Sequence, residues 1–349
     1  MTVTESLPAV RKKPPRLGHV PALDGLRAVA ITLVAVYHGI MPAHFGGAVG
    51  VDVFFVLSGF LITTLLLQEH DASGAVSFRR FYLRRVVRLY PPLLLMLAVV
   101  FVPIALTMGV NTALAGSALA LFYLMPVGAE SGQTTLSPYE HTWSLGVEEW
   151  FYFLWPPVLV WLLRERRRMV LAVAAIVTAV LAVAAFLAEA EASEVSFILR
   201  ACGLMSGCVL ALLLHGTEFK ANRWLGVAGV ALLGFSVLRS SLAPFSTVDV
   251  LLADAGSLLL IVALVRGPQG VLHRILSAGP VAYVGKISYE IYLWHYPLLC
   301  LLGVINHSDW LEVGWIALPL SVGLAALAHH VTQPFTARLR TRMAGWIPA

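Results

Sequence analysis

Residues 23–39 read LDGLRAVAITLVAVYHG, which is long and apolar enough to cross a membrane as a helix. The same stretch nevertheless contains Asp24, Arg27 and His38. An ionisable side chain inside a membrane costs several kcal/mol unless it is paired or faces a water-filled cavity. The stretch therefore predicts both a membrane-spanning helix and a functional site built around it.

The rest of the chain has the same apolar character. Hydrophobic residues make up 59% and charged residues 12% of the 349 residues, whereas soluble domains carry about 25% charged residues. We predict an all-α fold, a polytopic transmembrane helix bundle with about ten crossings of roughly 20 residues each. The predicted spans are residues 23–43, 49–68, 91–110, 142–163, 169–188, 197–215, 224–239, 248–266, 280–304 and 311–332.

One further apolar run, residues 113–126, is too short to cross. As a helix it covers only about 21 Å of a ~30 Å hydrocarbon core. If it does not cross and the N-terminus is cytoplasmic, 20 of the 24 Lys and Arg residues fall in cytoplasmic segments, in agreement with the positive-inside rule. We therefore predict a re-entrant or partial helix there, with both termini in the cytoplasm.

The domain organisation follows from the spans. We assign a single transmembrane domain to residues 21–335, between a cytoplasmic N-terminal tail (1–20) and a cytoplasmic C-terminal tail (336–349). The N-terminal tail lacks the apolar core and cleavage site of a signal peptide. Arg outnumbers Lys by 20 to 4, which we interpret as a GC-rich bacterial genome and hence a protein of the bacterial plasma membrane.

Two classes of partner are not expected. The net charge of +5 does not indicate nucleic-acid binding, because basic residues near span ends serve to orient a membrane protein among its lipids. The three cysteines are widely spaced and lie in apolar runs, without the spacing of metal ligands, so no metal site is predicted.

The spacing of the ionisable residues in the first span suggests how they act. Asp24 and Arg27 are three residues apart on one helical face, and we expect them to pair near the cytoplasmic edge. His38 follows about 16 Å farther along the axis, close to three turns, so it faces the same side as Arg27. This geometry suits a long anionic substrate whose reactive end reaches a base. The alternative is a histidine satisfied by neighbouring helices.

Other spans bring further candidates. Asp52 opens the second span, where it either orients the His38 imidazole or caps the helix. Arg85 and Arg88 are three residues apart on a predicted interfacial helix. They either bind anionic lipid headgroups or clamp a phosphate, because guanidinium groups match phosphate oxygens.

Two later segments carry polar residues into apolar surroundings. HTWSLGVEEWFYFLWPP, residues 141–157, contains Glu148 and Glu149. We expect only one of these adjacent carboxylates to face the site. KISYEIYLWHYPLL, residues 286–299, places Tyr289 and His295 inside another predicted span.

Taken together, these segments resemble the acyltransferase-3 family of integral membrane acyltransferases over roughly residues 20–335. The family's pattern of Arg, ten residues and His in the first helix matches Arg27 and His38, and its Arg-x-x-Arg pattern matches Arg85 and Arg88. The blocks FFVLSGFLI, WSLGVEEWFYFLWP and ISYEIYLWHYPL are also typical of the family.

The resemblance implies O-acyl transfer from cytoplasmic acyl-CoA, with acetyl-CoA as the expected co-substrate, to a hydroxyl of a sugar-containing or macrolide-type acceptor. His38 would act as general base on that hydroxyl, by direct transfer or through an acyl-histidine. The catalytic residues expected are His38, Glu148 and Asp52. The donor-binding residues expected are Arg27, Arg85, Arg88 and Asp24. The substrate-binding residues expected are Trp143, Ser144, Tyr289 and His295.

Two positions depart from the family pattern. Gln333 stands before Pro where the family often has Glu, and Trp150 follows the glutamate pair where Gln is common. The chain also reads as a stand-alone core without the C-terminal esterase-like domain of some polysaccharide-modifying members. Both features leave the acceptor open between a glycan and a small glycosylated metabolite.

A second class of function is a proton-coupled transporter or flippase, in which Asp24, Arg27, His38 and Glu148 form a proton relay. Inverted repeats or paired broken spans would favour this class, and the sequence shows neither. The oligomeric state, including a homo-oligomer, stays open.

Overall fold

The computed structural model describes residues 17–40, 46–130, 138–165, 167–187, 197–306 and 310–346. These residues form helices joined by turns, without a strand among them, so the prediction of an all-α fold is confirmed. The helices are α1 Pro21–Gly39, α2 Gly47–Ser73, α3 Phe78–Met108, α4 Val110–Leu121, α5 Met125–Glu130, α6 Trp143–Glu165, α7 Arg167–Leu187, α8 Phe197–Leu214, α9 Arg223–Leu242, α10 Thr247–Arg266, α11 Val271–Leu276, α12 Gly279–Lys286, α13 Ser288–Asn306 and α14 Trp310–Trp346. A 3-10 turn, Glu140–Thr142, precedes α6.

Within the described residues, six helices are long and apolar enough to cross a membrane: α1, α2, α3, α9, α10 and the Glu312–Arg342 part of α14. The count of about ten crossings and the cytoplasmic position of both termini therefore stay predictions. Residues 1–16 of the predicted N-terminal tail and 347–349 of the C-terminal tail lie outside the described residues.

Three predicted boundaries differ from the observed helices. The Arg85 segment and the span at 91–110 form one continuous helix, α3, rather than an interfacial helix followed by a span. The predicted span at 280–304 is divided at Ile287 into α12 and α13. The short run at 113–126 is divided into α4 and α5 by a turn in which Tyr123 has a φ of 56°.

Two tyrosines donate hydrogen bonds to backbone carbonyls of proline-containing helices. Pro157 of α6 has no N–H for the carbonyl of Phe153, and the Tyr82 hydroxyl donates to that oxygen at 2.8 Å. Near Pro91 and Pro92 of α3, the Tyr289 hydroxyl donates to the Leu89 carbonyl at 3.0 Å. The first of these hydrogen bonds replaces one that proline removes, as is common in membrane helices, and both join α3 to helices that surround the site.

Helix α2 packs against α1, α6, α8 and α10. Its contact with α8 depends on two glycines, because a Cβ on Gly59 would overlap the Leu204 carbonyl and one on Gly207 would overlap the Val56 carbonyl. Small residues allow membrane helices to approach this closely. The contact with α8 holds α2 in the position from which its other face lines the site.

Candidate active site

A cavity of about 1200 Å³, mouth included, lies between α1, α2, α3, α6 and α13. Apolar side chains of α2, among them Phe54 and Leu61, form one wall. The polar and charged side chains lining the cavity are Arg27, Ser58, Thr64, Gln68, Arg85, Arg88, Tyr123, Ser144, Glu148, Glu149, Tyr152, Ser288, Tyr289 and Tyr292.

Three arginines converge on this cavity. Arg27 donates from Nε and Nη2 to the Ser288 hydroxyl, at 3.2 and 3.1 Å. The Arg85 guanidinium lies 3.9 Å from the centre of the Tyr152 ring. Neither Arg85 nor Arg88 forms a hydrogen bond or ion pair with another described residue. Two oriented guanidinium groups therefore remain available to an anion, and their position in the cavity favours the phosphate clamp over lipid anchoring.

Both glutamates of α6 line the cavity, so the expectation that only one of them faces it is wrong. Adjacent helical residues point about 100° apart, and the cavity covers a wider arc of α6 than that. Glu148 accepts a hydrogen bond from Ser58, which in turn accepts one from the Tyr152 hydroxyl at 2.9 Å. The lining thus has three guanidinium groups against two carboxyl groups, a positive excess that favours an anionic ligand.

The expected pair of Asp24 and Arg27 is not formed. The Asp24 carboxylate instead lies 2.7 Å from Nε2 of His19, in the first turn of α1, where a negative charge is favourable to the helix dipole. Arg27 turns toward Ser288 and the cavity. Asp24 is absent from the described cavity lining, and its role toward the donor stays a prediction.

The expected orientation of His38 by a carboxylate is also not observed. Asp52 forms an ion pair with Arg200 of α8, and the side chains of both are 1% exposed. Glu148 is bound to Ser58 at the cavity. Each carboxylate therefore has a partner other than His38, Arg200 for Asp52 and Ser58 for Glu148, and each partner lies on a neighbouring helix.

His38 instead contacts a second histidine. Its Nδ1 lies 3.3 Å from Nε2 of His295 and 3.0 Å from the carbonyl oxygen of Val34. The rings of His38 and Tyr296 meet edge to face at 5.2 Å. His38 retains partial exposure, whereas His295 is fully buried. The imidazole is thus neither sealed among aliphatic side chains nor without polar partners.

Tyr292 of α13 connects the cavity to this histidine pair. Tyr292 lines the cavity, and its hydroxyl donates to the carbonyl of His141 at 2.6 Å and accepts from the Ser144 hydroxyl, also at 2.6 Å. Its ring lies 5.4 Å from the rings of both His141 and His295. Along these contacts, Tyr292 and then His295 lie between the cavity and His38.

The prediction that Arg27 and His38 share a helical face is confirmed, because both contact α13, at Ser288 and His295 respectively. Of the two, only Arg27 lines the cavity. Trp143 also lies outside the cavity lining and packs edge to face against Phe55.

Tyr292 and His141 were not among the site residues predicted from the sequence. His141 is 3% exposed and stacks on Tyr296 at 5.0 Å. His141 belongs to the segment 141–157 and Tyr292 to the segment 286–299. The sequence does place His141 three residues before Ser144, and Tyr292 three residues before His295. Such a spacing places two side chains on one face of a helix, but it does not show which other helix packs against that face.

Most of the chain matches a known protein family. The model of a family described as an acyltransferase domain matches residues 20–330. This chain belongs to that acyltransferase family, as the sequence motifs predicted. No solved structure gives a significant match.

Among named relatives, the peptidoglycan O-acetyltransferase OatA of Listeria monocytogenes is 31% identical over 81% of this chain and 50% of its own length. The O-acetyltransferase OatA of Staphylococcus aureus is 32% identical over 80% of this chain and 51% of its own length. The chain thus spans about half the length of these relatives.

Proposed function

We propose that this protein is a membrane-bound enzyme that moves an acetyl or short acyl group from acyl-CoA to a hydroxyl of a sugar-containing acceptor. One observation carries the proposal: a cavity lined by three arginines reaches Tyr292, whose ring contacts His295, and His295 in turn contacts the partly exposed His38. The names of the relatives, which describe O-acetylation and in one case peptidoglycan, favour a glycan over a macrolide.

The donor would bind in the cavity with its phosphates against the arginines. Arg85 and Arg88 form no hydrogen bond or ion pair with other described residues, and charge-assisted hydrogen bonds to phosphate are among the strongest available to a protein. The apolar wall of α2 would accompany the pantetheine arm. The thioester would then lie toward Ser144 and Tyr292, the end of the cavity nearest to His38.

The acceptor hydroxyl would approach His38. Nε2 of His38 takes the hydroxyl proton while the hydroxyl oxygen attacks the thioester carbonyl. The new carbon–oxygen bond forms, the carbon–sulfur bond breaks, and the leaving thiolate receives the proton that the imidazole held. The products are the O-acyl acceptor and free CoA, so no oxidant, reductant or metal ion is consumed.

The proposal is tested with the purified full chain in detergent micelles, radiolabelled acetyl-CoA and a soluble peptidoglycan oligosaccharide. We expect free CoA to appear only when the oligosaccharide is present, together with an equal amount of labelled ester on the sugar. CoA release at the same rate without acceptor, or label uptake into vesicles without ester formation, would contradict the proposal. The second result would support a transporter instead.

A further inference from the structure

The hydrogen bonds of His295 determine which of its nitrogens carries hydrogen. Nδ1 lies 2.7 Å from the carbonyl oxygen of Tyr292. A carbonyl only accepts hydrogen bonds, so Nδ1 is the donor, and in a neutral imidazole the other nitrogen, Nε2, is then an acceptor. Nε2 is the atom that faces His38 at 3.3 Å.

The same reasoning fixes the His38 ring. Its Nδ1 faces the Val34 carbonyl at 3.0 Å and Nε2 of His295, and both are acceptors. Nδ1 of His38 therefore carries the hydrogen, and Nε2 holds the lone pair. If His295 were instead doubly protonated, its Nε2–H would donate to Nδ1 of His38. Nδ1 would then hold a lone pair, which would face the lone pairs of the Val34 carbonyl oxygen unfavourably. Two carbonyl groups thus select one arrangement of two neutral imidazoles.

The surroundings of the pair contain few other titratable groups. On its own helix His38 is next to Tyr37, and from α13 it meets His295 and Tyr296. Other groups near these partners are His141 on the 3-10 turn, Tyr292 on α13, and Glu140, which interacts with Tyr296. Among the described residues, the partner hydrogen-bonded to the His38 ring from another helix is thus an imidazole rather than a carboxylate.

We propose that His295 is a positioning residue that holds His38 as the Nδ1–H tautomer and leaves Nε2 free to act as base. This inference rests on the proposed function. When Nε2 of His38 accepts the hydroxyl proton, the Nδ1–H bond of the resulting imidazolium remains between two neutral acceptors, Val34 O and His295 Nε2. Orientation of the base therefore needs neither Asp52 nor Glu148.

Two variants of His295 separate positioning from packing. Gln places an amide oxygen where Nε2 of His295 lies, and can accept from His38, whereas Leu fills the volume without an acceptor. We expect His295→Leu to lower kcat by about 10- to 100-fold, the range for second partners of functional histidines at metal sites, with the acetyl-CoA KM unchanged. His295→Gln should recover most of that loss. Full activity in His295→Leu, or equal loss in both folded variants, would overturn the proposal.

A measurement on the unmodified chain covers the case in which the variants do not fold. Nitrogen-15 spectra of histidine-labelled protein distinguish the two neutral tautomers, and the His38 signal is assigned by its loss in His38→Gln. We expect the Nδ1–H form for His38; the Nε2–H form would overturn the proposal. In folded His295→Leu part of the signal should move to the Nε2–H form, and an unchanged signal would show that Val34 alone sets the tautomer.

The tautomer readout is independent of catalysis. If His38→Ala retained normal turnover, the proposed base would be wrong whichever tautomer His38 adopts. If His38→Ala were inactive but the tautomer did not respond to His295, only the positioning role would fail.

Discussion

Arg200 of α8 and Asp52 of α2 form an ion pair inside the helix bundle, with both side chains 1% exposed. Arg200 also lies 5.1 Å from the Phe245 ring and 5.8 Å from the Trp143 ring. Asp52 is therefore held between helices, at the beginning of α2, by a partner 148 residues away in sequence. This contact gives Asp52 a structural part in joining α2 to α8, in place of a contact with the His38 imidazole.

Asp52→Ala should consequently destabilise the fold. Removal of one partner leaves the Arg200 guanidinium buried without its carboxylate, and breaking a buried pair costs about 3–5 kcal/mol. We expect a clear fall in the melting temperature in detergent micelles. The control is Arg84→Ala, which breaks the more exposed pair of Arg84 with Glu69 at 3.1 Å and should cost about 0–1 kcal/mol. A stable Asp52→Ala variant that has lost only turnover would return Asp52 to the catalytic site.

His38→Ala should abolish acyl transfer while donor binding persists. General base catalysis contributes about 10²–10⁴-fold, and His38 does not line the cavity proposed for the donor. The measurements are kcat for O-acetylation and the Kd of acetyl-CoA by calorimetry. His330→Ala, which removes an exposed imidazole from α14, should leave both unchanged. Weakened donor binding in His38→Ala, with kcat retained at saturation, would contradict the role of base.

Arg88→Ala should weaken donor binding and leave the rate of acyl transfer nearly unchanged. Hydrogen bonds to charged groups contribute about 1.5–3 kcal/mol, so we expect the Kd of acetyl-CoA to rise about 10- to 100-fold with little change in kcat at saturating donor. Arg84→Ala is the matched control, because Arg84 lies on the same helix outside the described cavity lining and pairs with Glu69. Equal effects of the two substitutions would indicate a general charge effect and remove Arg88 from the donor site.

Helical periodicity allowed part of the site to be predicted. Arg27 and His38 lie on one helix, so the 3.6-residue period alone placed them on one face, and both contact α13. The Arg-x-x-Arg pattern likewise identified two residues, Arg85 and Arg88, that line the cavity. These are local relations, which depend on a single helix.

Relations between helices could not be predicted in the same way. His38 meets His295, and Asp52 meets Arg200, because particular helices pack side by side, and hydropathy carries no information on which helices are neighbours. The division at Ile287 had a local signal that the predicted span ran across, because Lys286 and Ser288 stand on its two sides.

Gly59→Ala should destabilise the protein through the α2–α8 contact. A Cβ at this position would overlap the Leu204 carbonyl oxygen, which is backbone and cannot move without separating the helices. Gly234→Ala in α9 is the matched control, since a Cβ there meets nothing within 4 Å and alanine is favoured over glycine in a helix interior by about 1 kcal/mol. The melting temperature in micelles should therefore fall for Gly59→Ala and stay unchanged or rise for Gly234→Ala. If Gly59→Ala melted like the unsubstituted chain, α2 and α8 would not be in the close contact that holds the cavity wall in place.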